Sequence, residues 1–75
     1  MIEYALPEKC SITLSVYDIR GELVRTLFEG KQPAGTYSIE WNSLNNAGIP
    51  VSSGVYFCRL TTDNYSETLK MLLLK

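Results

Sequence analysis

Cys10-Ser11-Ile12-Thr13-Leu14-Ser15-Val16-Tyr17 decides the fold class. Cys10, Ile12, Leu14 and Val16 fall on one side of a two-residue repeat, and Ser11, Thr13, Ser15 and Tyr17 fall on the other. A period of two is the pleat of a strand with one face buried and one face in water. Working outward, the same alternation recurs. From Thr36 to Asn42, Tyr37, Ile39 and Trp41 face inward against Ser38, Glu40 and Asn42. Tyr56, Cys58 and Leu60 form a third apolar face, and Leu69, Met71 and Leu73 a fourth, although Leu72 and Leu74 make that last strand apolar on both sides. Ile2 to Leu6 reads as an edge strand ended by Pro7. Glu22 to Glu29 is less regular, and Leu23, Val24, Leu27 and Phe28 would suit a short helix nearly as well. Its place just after the turn Asp18-Ile19-Arg20-Gly21 favours a hairpin partner.

The breaks between these runs carry turn residues: Pro7-Glu8, Arg20-Gly21, Pro33-Ala34-Gly35, Asn45-Asn46-Ala47-Gly48, Ser53-Gly54 and Asp63-Asn64-Tyr65. Their spacing, about ten to fifteen residues, is the rhythm of an all-β sandwich rather than of βαβ units. The longest gap, Asn42 to Ser53, reads as a crossover between two sheets. The fold expected is therefore all-β, a small immunoglobulin-like antiparallel β-sandwich of about six to seven strands, forming one domain over residues 1–75. A chain of 75 residues buries only about 60% of its unfolded surface. Hydrophobic residues at 45% and charged residues at 20% are ordinary for a globular domain.

The net charge of −1, with Lys and Arg scattered, argues against nucleic acid as a partner. No apolar run of about 18 residues is present, so no membrane insertion is expected. Met1-Ile2-Glu3-Tyr4 has neither the basic nor the apolar run of an export signal, which places any such signal elsewhere. Catalysis finds no footing either. The chain has no His, the commonest general base and metal ligand. Its eight carboxylates are dispersed, and its five glycines punctuate turns rather than cradle phosphate. The sequence predicts a module that is not an enzyme and takes no cofactor or metal.

Three features invite sharper readings. Cys10 and Cys58 both fall on inward faces. A disulfide would suit a small exported sandwich, and two buried thiols acting as small hydrophobes would suit any core. The Cα separation decides between them. Cys10, Trp41 and Tyr56-x-Cys58 mimic the pattern of antibody domains, but Trp41 comes three strands after the first cysteine instead of on the next one. Trp41 is then a core residue. The loop Asn42-Ser43-Leu44-Asn45-Asn46-Ala47-Gly48 has the oxygen spacing of a calcium loop without a carboxylate, which hard cations need. Asx turns are its expected role. Asn64-Tyr65-Ser66 matches a glycosylation sequon in a hairpin turn.

Taken in order, Tyr4-Ala5-Leu6-Pro7, Val16 through Val24, Pro33-Ala34-Gly35, Trp41-Asn42, Gly48-Ile49-Pro50-Val51, Ser53 through Phe57 and Lys70 through Lys75 form a recognisable succession. It resembles the C-terminal sorting domains of proteins exported by the bacterial type IX (Por) secretion system. It also resembles the related immunoglobulin-like module of the flagellar hook-capping protein. Two positions depart from the pattern: Cys58, where an aromatic is usual, and Asn42, where Asp is often found.

The first resemblance implies a non-catalytic address label at the end of a larger exported cargo. It would be read by outer-membrane translocon proteins in the periplasm and delivered to the cell surface or the medium. Carried over, the recognition residues are Lys70, Met71, Leu72, Leu73, Leu74 and Lys75, with Ser53, Gly54, Val55 and Tyr56 preceding them. An apolar terminal strand can be extended by a partner through β-addition, and flanking lysines discourage indiscriminate pairing. The same edge would permit a homodimer by edge-strand pairing. The alternative is a structural or adhesive Ig-like module, an accessory domain of a cell-surface enzyme or of the hook-cap type.

Overall fold

The computed structural model describes residues 2–74, and these form six strands and no helix. In chain order they are β1 (Ile2–Leu6), β2 (Cys10–Tyr17), β3 (Leu23–Gln32), β4 (Gly35–Ile39), β5 (Gly54–Thr62) and β6 (Ser66–Leu73). They make two antiparallel sheets, β1-β4 and β3-β2-β5-β6. This is the small sandwich that the alternation demanded, with two strands laid over four.

β2 lies inside the larger sheet because both its neighbours need it. Val16 and Leu14 are fully buried, and Ile12, Cys58, Leu60, Tyr56, Ile2 and Leu6 complete the core. β1 and β4 are paired from Ile2↔Ile39 to Leu6↔Gly35, with Tyr4 stacked on Tyr37 at 5.4 Å. The Tyr4 hydroxyl donates to Gln32 Oε1 at 2.7 Å and that of Tyr37 to the Pro33 carbonyl at 2.6 Å. The first ties the small sheet to the end of β3 and the second to the turn that follows it.

The irregular stretch is a strand, as the hairpin reading expected, and it has a reason for looking helical. Pairing runs from Leu14↔Phe28 to Ser15↔Thr26, which leaves Leu27 as an extra residue. Such a bulge breaks the period of two, so Leu27 and Phe28 both pack against the core although they are adjacent in sequence. A second shift leaves Val24 extra between Arg25 and Leu23. The β2–β3 turn is held by Asp18, whose Oδ1 accepts from the amides of Arg20 (2.9 Å) and Glu22 (3.0 Å). Gly21 has φ +82°, where a side chain would be strained.

One expectation needs correction, and one open alternative is decided. β4 ends at Ile39, so Trp41 is not on a strand. It packs against the core from the following loop, with Nε1 donating to the Leu44 carbonyl at 3.0 Å. The cysteines are both free, and no Cys10–Cys58 disulfide forms. Cys58 stands opposite Val16, six residues along β2 from Cys10. At the strand rise that is about 20 Å, against a limit of about 7 Å for bridged Cα atoms. Cys58 is a buried hydrophobe with its thiol pushed up to about 11 by burial.

The Asn-rich loop crosses from the small sheet to the large one and caps it on the way. Asn45 Oδ1 accepts from the amides of Ala47 (2.9 Å) and Ile49 (3.0 Å), which is the Asx geometry expected. Asn46 then imitates a neighbouring strand. Its amide donates to the Val24 carbonyl at 2.9 Å and its Oδ1 accepts from the Thr26 amide at 3.0 Å. The edge of the larger sheet at β3 is thereby occupied at Val24 and Thr26, and β6 forms the other edge.

Candidate functional site

β6 follows from a hairpin turn that its own side chains close. The Thr62 amide donates to the Tyr65 carbonyl at 2.8 Å, and Thr62 Oγ1 accepts from the amides of Asn64 and Tyr65, each at 3.1 Å. Asn64 Nδ2 also donates to Glu8 Oε1 at 3.2 Å, which anchors the turn to the β1–β2 loop. From this turn β6 pairs with β5 over its whole length, Thr61↔Ser66 through Gly54↔Leu73.

That register brings together the two segments named from sequence. Gly54, Val55 and Tyr56 stand opposite Leu73, Leu72 and Met71, with Ser53 just before them and Lys70 opposite Phe57. Leu74 follows the strand, and Lys75 lies outside the described residues. Gly54 has φ +154° with open space where a Cβ would stand, so backbone conformation rather than crowding selects glycine there. Tyr56 is buried: its hydroxyl donates to the Ser52 carbonyl at 2.7 Å, and Trp41 meets its ring edge-on at 5.2 Å. Tyr56 therefore fixes the end of the hairpin and offers no surface.

The surface belongs to the leucines. Opposite residues of an antiparallel pair share a face. Leu69 opposite Cys58, Met71 opposite Tyr56 and Leu73 opposite Gly54 are thus inward, while Lys70 and Leu72 point outward. Leu72 is 66% exposed, Leu74 78%, and Leu69 54% although it faces inward. The four-stranded sheet presents an unpaired backbone edge with apolar side chains on both faces, a surface suited to association.

Residues that sequence reasoning did not connect with this region also converge on it. Residues 2–4 of β1 and residues 67–69 of β6 line a cleft of about 350 Å³ together with Leu14, Cys58 and Leu60. Glu67 carried a signal, being in phase with Leu69 and Met71, but its neighbour β1 is far away in the chain. Among the described residues no cluster of His, Cys, Asp or Glu could hold a metal ion. On the outer face Arg59 lies over the Tyr17 ring at 5.4 Å, a packing contact between β5 and β2.

The sequence profile of the FlgD Ig-like domain matches residues 1–66. The chain belongs to the FlgD Ig-like domain family. In this FlgD Ig-like domain the match takes in β1 to β5 and the hairpin turn, and ends at the first residue of β6. No curated protein and no solved structure matches the chain significantly.

Proposed function

We propose that this chain is a non-catalytic structural module of the hook-cap type, which joins a larger bacterial assembly through its surface. The family match over residues 1–66 carries this reading. The use of the polar side chains agrees with it. Tyr4, Tyr37, Trp41, Tyr56, Asn45 and Asn46 are each engaged in bonds that hold strands or loops together. The test is a chimera in which residues 1–75 replace the Ig-like module of a flagellar hook-capping protein. Hook assembly and motility equal to those of the parent are expected. A chimera that is folded and secreted but fails to assemble hooks refutes the reading.

A second reading rests on one observation: β6, with its exposed Leu69, Leu72 and Leu74, is an open apolar edge lying beyond the family match. On this reading the strand is a sorting label for type IX export, read by outer-membrane translocon proteins on the way from periplasm to cell surface or medium. A fluorescent reporter bearing residues 1–75 would reach the surface in a host with that machinery, and its version without residues 70–75 would stay in the periplasm. Equal retention of both removes the second reading. The same edge also supports homodimers by β6 pairing. A sedimentation-velocity concentration series showing only monomer counts against them.

A further inference from the structure

We propose that one half of the outer face of the larger sheet is a docking surface. Its occupant is an amphipathic helix of a partner protein, laid across the strands, with carboxylates where it meets Arg59 and Lys70. This surface is a property of the sheet itself and holds whichever assembly carries the module.

The register divides the outer face in two. At one end the rows across the sheet are polar: Glu29, Thr13, Thr61 and Ser66, then Thr26, Ser15, Arg59 and Thr68. The next row is Leu23, Tyr17, Phe57 and Lys70, and beyond it Val55 stands beside Leu72. β2, β3 and β5 thus turn apolar at the same row, and β6 follows one row later. A sheet face turned to water ordinarily keeps polar residues at its outward positions. Here Leu23, Leu72 and, in the adjoining turn, Ile19 are each more than half exposed. Tyr17, Ile19, Phe57 and Arg59 are among the residues that line a cleft of about 290 Å³ at this end.

Charge and shape select the occupant. The ion pairs among the described residues belong to Arg20, which meets Asp18 and Glu22 within the β2–β3 turn. Asp18 also lines the cleft, but its carboxylate already accepts from the Arg20 and Glu22 amides. Arg59, over the Tyr17 ring, and Lys70, opposite Phe57, have no share in those pairs. A partner therefore gains by placing carboxylates at β5 and β6. A second copy fits poorly, because it brings its own Arg59 and Lys70. A sheet face, unlike a sheet edge, offers no backbone groups to an extended segment. A helix satisfies its backbone internally, and three of its turns run about 16 Å. The four strands of this sheet span about 14 Å at their usual spacing, which such a helix covers.

The test is NMR titration of the isotope-labelled 75-residue chain with two capped helical peptides, EALAELLAELAAE and KALAKLLAKLAAK. The acidic peptide is expected to shift the amides of Tyr17 to Ile19, Val55 to Arg59 and Lys70 to Leu72. It should bind about tenfold more tightly than the basic one. Arg59→Glu combined with Lys70→Glu, at exposed positions that leave the spectrum dispersed, reverses the preference. Leu72→Asp abolishes binding. The proposal is overturned if neither peptide perturbs these amides at millimolar concentration, or if the shifts lie only on β1 and β4. It is equally overturned if charge reversal leaves the preference unchanged, or if concentrating the protein alone reproduces the shifts, which would make the occupant a second copy.

Discussion

Replacing Leu69 by Ala measures directly how open the inner face of β6 is. Burying a leucine side chain completely contributes roughly 1.5–3 kcal/mol. Leu69 is 54% exposed, so a little under half of that contribution is present in the isolated module. Leu69→Ala should then cost about 1 kcal/mol, since the site opens to solvent and leaves no sealed cavity. Leu14, opposite Leu60 on the same inner face and fully buried, is the internal standard. Leu14→Ala should cost about 3–5 kcal/mol, because it loses the full transfer term and leaves a cavity. In a domain of this size 1 kcal/mol lowers the melting temperature by roughly 4–8 °C. With a urea m-value of about 1 kcal/mol/M it shifts the midpoint by about 1 M. Leu14→Ala would move it about threefold further or leave the chain unfolded. Urea titrations followed by Trp41 fluorescence give both numbers. A cost for Leu69→Ala equal to that of Leu14→Ala would refute the reasoning, for it would mean that β6 is covered in solution.

Three further outcomes follow from particular contacts. With its thiol pushed up to about 11 from an ordinary 9.0, Cys58 should have a thiolate fraction on the order of 100-fold below that of a free thiol at pH 8. Alkylation under native conditions should therefore spare Cys58 until the chain is unfolded, and mass spectrometry without reductant should find both thiols. Asp18 is held below its ordinary value of 3.8, chiefly by the Glu22 amide, so it binds its proton less readily folded than unfolded. Its contribution is present above that ordinary value and lost as pH falls through the lower folded one. The stability difference between the parent chain and Asp18→Asn should accordingly shrink in acid, and a pH series of melts checks it. Asn46→Ala removes the acceptor for the Thr26 amide. It should cost about 1 kcal/mol and speed hydrogen exchange at Thr26 while leaving the amides of β2 protected.

The sequence by itself determined the inward faces of β2, β5 and β6. In β2, residues alternating at a period of two admit one register against a buried layer, since a slip of one residue would send Leu14 and Val16 into water. The turn residues fixed where strands end, because Asp18 with Gly21 and Asn45 with Gly48 satisfy the backbone locally. The hairpin that joins the Ser53–Tyr56 segment to Lys70–Leu73 was legible for the same reason, being a pairing between neighbours in the chain.

What only the tertiary structure decided depends on the order of strands within each sheet. Cys10 and Cys58 share a face in the sequence pattern, yet the β2–β5 register sets them far apart. Leu27 and Phe28 reach the core together because a bulge overrides the alternation. Leu69 reads as a core residue, and it is open because the covering sheet stops at β1. β1 and β6 line one cleft across that gap from opposite ends of the chain. Periodicity reports which side of its own strand a residue occupies, and it is the packing of one sheet on the other that determines whether anything lies there to cover it.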